Sequence, residues 1–115
     1  MDSLSDAQKL RQGLDKLVEA IKDATADGRI TLPEIGRIFG IGATVVNRLV
    51  DTLSDRQANF EPLVDELEAI YDQRIAKVDI PYLPAILERR IVHPVLRSFI
   101  RPYVAGIYSA WEGRE

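Results

Sequence analysis

The sequence predicts an all-α fold, a single compact domain of five or six helices that ends in a proline-interrupted C-terminal helical segment. Apolar residues recur at intervals of three and four through most of the chain, which is the spacing of one helix face. No segment alternates with period two for long enough to form a strand. A length of 115 residues suits one domain with a modest core. We divide residues 1–115 into a helix and a corner (1–58), a long acidic amphipathic helix (59–79) and a proline-rich basic helical tail (80–115).

The first helix is predicted from Ser5 to Thr25. Ser3 or Ser5 can accept hydrogen bonds from the first free backbone amides, and the region of Gly28 ends the helix. One face carries seven apolar residues, Ala7, Leu10, Leu14, Leu17, Val18, Ile21 and Ala24.

The next segment, residues 31–53, is predicted to form two short helices joined at a corner. Thr31 and Glu34 have the spacing of a capping box, and Pro33 stands in a first turn, where its missing amide hydrogen costs little. We therefore expect a helix over Leu32 to Phe39, a break at Gly40 and Gly42, and a second helix over 43–53.

The acidic helix is predicted to begin after Asn59 as its N-cap and to run for about 18 residues, or about 27 Å. Its apolar stripe is the most regular in the chain: Phe60, Leu63, Val64, Leu67, Ile70, Tyr71, Ile75 and Val78. The outer face carries Glu61, Asp65, Glu66, Glu68 and Asp72, which predicts a solvated acidic surface.

The tail contains Pro81, Pro84, Pro94 and Pro102. Because proline favours helix starts and disfavours interiors, we expect short helices over 84–92 and from Pro94 onward, with a kink or restart at Pro102. One helix face carries Leu96, Phe99, Ile100, Tyr103, Ile107 and Trp111, a stripe that suits either the core or an interface.

Composition removes several classes of function. The chain has no cysteine, so disulfides and thiolate zinc sites are excluded. No apolar run approaches the roughly 20 residues of a membrane-spanning helix, and the start lacks the pattern of a secretory signal. The expected location is the cytoplasm or a particle assembled there. A net charge of -3 argues against a phosphate backbone as the main partner.

The charge is unevenly distributed along the chain. Lys/Arg minus Asp/Glu is 8 − 9 = -1 for residues 1–58, 2 − 6 = -4 for 59–79 and 5 − 3 = +2 for 80–115. An acidic middle followed by a basic tail is compatible with head-to-tail association between copies, and also with ordinary solvated faces.

The stretch DATADGRITLPE, residues 23–34, resembles the twelve-residue calcium loop of EF-hand proteins. Gly28 stands at the sharp turn and Ile30 at the central apolar position. The resemblance implies a single weak calcium site, and the alternative is a helix-linking turn that needs no metal. The implied oxygen ligands are Asp23, Thr25, Asp27, the carbonyl of Arg29, Thr31 and Glu34.

The stretch LPEIGRIFGIGATVVNRLV, residues 32–50, resembles the helix-turn-helix unit of prokaryotic DNA-binding regulators. In that pattern Gly36 packs between the helices, Gly40 makes the turn and Ile41 follows it into the core, while Val46 and Leu49 seat the second helix. The alternative is a structural corner. The nucleic-acid contacts that the resemblance implies are Arg37, Thr44, Asn47 and Arg48.

The tail combines aromatic residues with arginine, the types enriched at protein interfaces. A core-facing helix would show the same stripe, and contact with a membrane surface is left open. The predicted partner interface consists of Tyr82, Arg89, Arg90, Arg97, Phe99, Arg101, Tyr103, Tyr108 and Trp111.

Catalysis is not predicted. His93 is the single histidine and precedes Pro94, which predicts a helix cap or an exposed turn. Glu68 and Asp72 are four residues apart on an acidic face and are read as solvated charge rather than as an acid–base pair.

These observations favour a non-enzymatic structural or assembly protein that acts by protein–protein association, as a homo-oligomer or in a larger assembly. A multi-copy component of a prokaryotic or viral particle is the most concrete version of this hypothesis. The alternatives are a helix-turn-helix DNA-binding regulator and a weak calcium-binding module. No cofactor is expected beyond that ion.

Overall fold

The structure, a computed structural model, describes residues 5–112, and this part of the chain is all-helical with no strand. Within it, four helical stretches stand where we predicted five or six helices. The first stretch contains α1 (Asp6–Gly13) and α2 (Asp15–Ala24), and the second is α3 (Leu32–Thr52). The third is α4 (Phe60–Ile70), continued by a π-helical turn at Tyr71–Ile75. The fourth contains α5 (Ala85–Leu87), a π-helical turn at Glu88–Val92, α6 (His93–Ser98) and α7 (Ile100–Glu112).

The predicted first helix is present but bends at Leu14, between α1 and α2. Ser5 caps α1: its hydroxyl accepts from the Gln8 backbone amide at 3.2 Å, and the Gln8 side chain accepts from the Ser5 amide at 2.9 Å. The other candidate cap, Ser3, lies outside the described residues. A Cβ at Gly13 would lie 2.7 Å from Leu49 Cδ1, so this glycine lets α1 and α3 approach closely.

The predicted break at Gly40 and Gly42 is wrong, because α3 is continuous over 21 residues. A glycine inside a helix costs only about 1 kcal/mol relative to alanine, and the burial of Ile38 and Val46 on either side offsets that cost. Ile41, expected in the core, is 36% exposed. Gly42 is buried, and a Cβ there would lie 3.0 Å from the Tyr103 hydroxyl oxygen.

The helix α3 lies at the centre of the fold and packs against α1, α2 and α7, while α4 packs against α7. The predicted capping box of α3 is confirmed: the Glu34 amide donates to the Thr31 hydroxyl at 3.2 Å, and the Thr31 amide donates to Glu34 Oε1 at 2.9 Å. The side chains buried most completely are Ile21, Ile30, Ile35, Val46, Val50, Leu63, Val64, Ile80 and Val104.

Two connections fix the ends of the helices. The loop after α2 turns at Gly28 (φ 79°), and the Ile30 amide then donates to the Asp79 carbonyl at 2.8 Å. The carboxylate of Asp6 accepts from the amides of Ser54 and Asp55 and from the Asn59 side chain. Asn59 therefore stands at the N-cap position of α4 as predicted, but its side chain makes no capping hydrogen bond.

Across residues 5–112, no helix is both long enough and apolar enough to cross a membrane.

Candidate functional site

The stretch from α5 to α6 buries polar side chains and exposes apolar ones. Glu88 and His93 face inward and are each only 6% exposed. On the outside, five large apolar side chains keep 42–55% of their surface exposed, and Tyr82, just before the stretch, is fully exposed. We name this set the exposed apolar surface: Tyr82, Ile86, Leu87, Ile91, Val95 and Phe99.

The inward residues form a buried polar cluster, which we define as Tyr71, Glu88 and His93. The Tyr71 hydroxyl lies 2.7 Å from His93 Nδ1, and His93 Nε2 lies 3.6 Å from Glu88 Oε1. The same carboxylate oxygen accepts from the buried Ile80 amide at 3.0 Å. The tautomer that fits these distances has Tyr71 donating to Nδ1 and Nε2–H pointing toward Glu88. The alternative that His93 lies in an exposed turn is therefore wrong, whereas its predicted place at a helix end is met, because His93 follows the π-helical turn and begins α6.

Both π-helical turns of the described chain adjoin this cluster. Tyr71 begins the first, and Glu88 begins the second, which His93 follows directly. Such turns insert a residue into an α-helix and are frequent at functional sites. Burial, together with the charges of Asp72 and Glu88, raises the pKa of the Tyr71 hydroxyl well above its usual range. Tyr71 thus remains a neutral donor to His93.

The buried polar cluster determines which way the helix faces. If burial of apolar area alone fixed its rotation, Leu87, Ile91 and Val95 would face the core and Glu88 would face water. The opposite rotation is held by hydrogen bonds from Tyr71 and Ile80, which lie on other segments of the chain. The exposed apolar surface is therefore presented outward by specific polar contacts.

Tyr82 has an unusual backbone conformation. Its φ is 70°, and it occupies the third position of a turn in which the Leu83 amide donates to the Ile80 carbonyl at 3.3 Å. With Pro81 before it, this is the pattern of a type II turn, in which glycine or asparagine normally fills the third position. A bulky residue there costs on the order of 1 kcal/mol. The structure thus places a strained aromatic side chain entirely in solvent.

The nine predicted interface residues separate into two groups. Tyr82, Arg89, Arg90 and Phe99 are exposed. The other five make contacts within the chain: Arg97, Arg101, Tyr103, Tyr108 and Trp111. Within the stripe that runs from Leu96 to Trp111, Phe99 is exposed whereas Ile100 is buried in the core.

Two of these five residues, Arg97 and Arg101, are exposed arginines that bind carboxylates of the acidic helix. Arg97 Nε donates to both oxygens of Asp72 at 3.0 and 3.2 Å, and a terminal nitrogen of Arg97 lies 3.7 Å from Glu68. The two terminal nitrogens of Arg101 donate to the two carboxylate oxygens of Glu61 at 2.5 and 2.6 Å. The hydrogen bond to Asp72 raises the pKa of Arg97.

The inward aromatic residues attach α7 to the rest of the fold. Tyr103 donates to the Phe39 carbonyl at 2.7 Å, and Tyr108 donates to the Arg56 carbonyl at the same distance. Trp111 Nε1 donates to Asn47 Oδ1 at 3.0 Å, with the Arg56 guanidinium 4.7 Å from its ring centre. These three side chains are structural within the chain.

Sequence reasoning missed four members of the exposed apolar surface, Ile86, Leu87, Ile91 and Val95. A signal was present, because Leu87, Ile91, Val95 and Phe99 follow one another at intervals of four. Our prediction placed one apolar stripe over Leu96 to Trp111 and assigned no apolar face to the helix over 84–92. The pairing of Glu88 and His93 with Tyr71 and Ile80 could not be seen from local spacing.

Four of the six predicted calcium ligands, Thr25, Asp27, Thr31 and Glu34, make local hydrogen bonds. Glu34 Oε1 accepts from both the amide and the hydroxyl of Thr31, and Asp27 accepts from the Arg29 amide at 3.1 Å. Thr25 donates to the Ile21 carbonyl, and Asp23 is exposed. Among residues 5–112 no group of three His, Asp or Glu side chains is placed to hold a metal ion. Calcium binding stays a prediction.

The four predicted nucleic-acid contacts lie along the middle of α3. Arg37, Thr44 and Arg48 are exposed, and Asn47 accepts the hydrogen bond from Trp111. A helix-turn-helix unit requires a turn between two helices, and the continuous α3 has none. The geometry therefore does not reproduce the motif, and nucleic-acid binding stays a prediction without the corner that motivated it.

An open cleft borders the buried polar cluster, and no member of the exposed apolar surface lines it. Its lining includes Asp72, Arg89, His93, Arg97 and Ser98. The Arg97 guanidinium is already occupied by Asp72, and His93 Nε2 is buried and directed at Glu88. The cleft thus presents Arg89 as its unpaired cation among the described residues.

No family model, curated protein or solved structure matches this chain.

Proposed function

We propose that this chain is a non-enzymatic assembly protein that acts through protein–protein association at the exposed apolar surface. The observation that carries the proposal is the rotation of the stretch from α5 to α6. This stretch buries Glu88 and His93 and presents a row of aliphatic and aromatic side chains to solvent. Such an arrangement costs burial energy in the isolated chain, and a partner that covers the row recovers it.

The size of the surface supports the same proposal. The six exposed fractions together equal about three and a half fully exposed large side chains, or roughly 700 Å² at about 200 Å² each. The largest apolar patch on a typical monomer is about 300–600 Å². The surface also contains the residue types, tyrosine and phenylalanine, that are enriched at interface centres.

Charge contributes less to this association than its distribution along the sequence suggests. The acidic helix α4 and the π turn after it bind two arginines of the same chain, through Arg101–Glu61 and Arg97–Asp72. The basic tail is thus partly neutralised internally, which favours apolar rather than head-to-tail ionic association. A component present in many copies, such as a subunit of a prokaryotic or viral particle, is the setting to which this function would belong.

The proposal is tested by affinity capture with the tagged full chain, using extract of the organism that carries the gene and mass spectrometry to quantify the retained proteins. We expect retained protein, either this chain or another, to be lost with the baits Tyr82→Gly and Ile91→Lys. Glycine at position 82 relieves the positive φ, so loss of capture by that variant cannot be ascribed to a damaged fold.

Leu32→Lys is the matched control, because Leu32 is 48% exposed and lies outside the exposed apolar surface. Equal retention by the wild-type chain and the three variants would refute the proposal. So would the absence of any retained protein together with a monomeric chain in sedimentation experiments.

A further inference from the structure

Resting on the proposed function, we infer that the partner of the exposed apolar surface is a second copy of this chain, packed as a two-fold symmetric, antiparallel helix pair. Four members of the surface, Leu87, Ile91, Val95 and Phe99, are spaced four residues apart. A row of this spacing is the ridge that fits between the equivalent ridges of another helix in the commonest class of helix packing, with axes crossing at about −50°.

The π-helical turn keeps this row straight. In an α-helix with 3.6 residues per turn, a row of every fourth residue drifts around the axis. A turn closed by i→i+5 hydrogen bonds holds more residues, so the same row drifts in the opposite sense. The turn at Glu88–Val92 lies between the first and the third members of the row and offsets the drift of the α-helical part. All four side chains thus remain on one flank.

The row is complementary to itself. A two-fold axis near position 93 places Ile91 against the partner's Val95 at the centre, and Leu87 toward the partner's Phe99 at the ends. Isologous contacts of this kind are the commonest in homo-oligomers. The four side chains of the row together expose about the area of two large side chains, or roughly 400 Å², and with Tyr82 and Ile86 the exposed apolar surface reaches roughly 700 Å². Each partner contributes about 800 Å² to an interface of standard size.

The row itself suits a second copy because it carries no charge, and the exposed Arg89 and Arg90 stand next to it in the sequence. None of the four side chains of the row is charged, so two copies meet without repulsion there. Arg89 and Arg97 line the cleft beside Asp72, and Arg97 is bound to that carboxylate. The chain as a whole carries a net charge of -3. Basic residues around an apolar face strengthen adsorption to anionic lipid, and the negative net charge of the whole chain opposes it.

Sedimentation equilibrium of the full chain, from about 1 µM to 1 mM, is the primary test. We expect a reversible monomer–dimer equilibrium whose dissociation constant rises at least about tenfold in Val95→Glu, because a buried unpaired carboxylate is costly. Ile91→Lys is a second variant with the same expected effect, and circular dichroism confirms that both fold. Leu32→Glu is the control with an unchanged constant, since an acidic residue is favourable in the first turn of α3.

Disulfide cross-linking tests the arrangement, because the chain has no cysteine of its own. Ile91→Cys mixed with Val95→Cys is expected to form a cross-linked dimer faster than either variant alone. Faster linking of Ile91→Cys to itself, or a dimer that Val95→Glu does not weaken, would overturn the inference. A monomer at every concentration would also overturn it, while the capture experiment would still decide whether another protein binds this surface.

Discussion

Glu88 illustrates how one buried charge can organise a surface several residues away. A carboxylate taken out of water is tolerated only when polar contacts compensate for the lost hydration. Here the Ile80 amide donates to the carboxylate, the neutral His93 directs its Nε2–H toward it from 3.6 Å, and Tyr71 fixes the other ring nitrogen of His93. Because such clusters add little net stability, their main consequence is orientation. In this chain they hold Leu87 and Ile91 toward solvent.

Removing the carboxylate is therefore expected to cost more than neutralising it. Glu88→Ala leaves the buried Ile80 amide without its acceptor and should lower the free energy of unfolding by about 2 kcal/mol. Glu88→Gln keeps an oxygen that can accept from Ile80 and should lose about half as much. Urea denaturation followed by circular dichroism measures both values.

Glu66→Ala, an exposed position on α4, is the matched control and should change stability by less than about 0.5 kcal/mol. Equal stability of Glu88→Ala and wild type would mean that the carboxylate is not held by the contacts described.

At the scale of elements, α3 is one continuous helix rather than the two helices and the turn of a helix-turn-helix unit. Gly36 and Gly40 are exposed, and a Cβ at either position would meet no atom within 4 Å outside the helix's own backbone. Gly28, by contrast, has a φ of 79°. The same substitution therefore has opposite expected effects at these positions.

Gly40→Ala should raise the free energy of unfolding by about 0.5–1 kcal/mol, because alanine is the better helix former and the site is open. Gly36→Ala should behave similarly, whereas Gly28→Ala should destabilise by about 1 kcal/mol or more. Thermal or urea unfolding of the three variants provides the comparison. Destabilisation by Gly40→Ala would mean that Gly40 occupies a turn with positive φ, as in a helix-turn-helix unit.

Elements set by local chemistry could be predicted from the sequence, and those set by distant contacts could not. The Thr31–Glu34 capping box depends on residues three apart, and the structure confirms it. The break at Gly40 was predicted from local propensity, which packing against α1, α2 and α7 overrides. The inward rotation of Glu88 depends on Tyr71 and Ile80, 17 and eight residues away. Local periodicity carries no information about those pairings.

At the scale of the whole molecule, two kinds of contact attach the C-terminal stretch to the rest of the fold: ion pairs of arginine and hydrogen bonds of tyrosine hydroxyls. The ion pairs of Arg97 and Arg101 lie at the surface, where each contributes at most about 1 kcal/mol. The hydroxyls of Tyr71, Tyr103 and Tyr108 lie in the interior or at its edge, and each bonds to a different segment of the chain. These hydroxyls must be neutral to act as donors.

The loss of folding stability at high pH is therefore expected to follow the ionisation of these tyrosines. Burial raises the pKa of Tyr103 to about 12, and it also raises the pKa of Tyr108 and of Tyr71. Because the unfolded value is about 10, neutral hydroxyls stabilise the fold fully below about pH 10, and this contribution is lost as the pH rises toward 12. The urea midpoint should be level between about pH 7 and 9 and fall above about pH 10.

Tyr103→Phe isolates one of these groups. The variant lacks the hydrogen bond to the Phe39 carbonyl, so its stability at pH 7 should be lower by about 1 kcal/mol. The stability of this variant should nevertheless fall less steeply above about pH 10 than that of wild type, because one proton fewer is released on unfolding at high pH. Tyr82→Phe, which changes a fully exposed ring, should retain the wild-type slope. Identical slopes for wild type and Tyr103→Phe would show that alkaline unfolding is controlled by groups other than this hydroxyl.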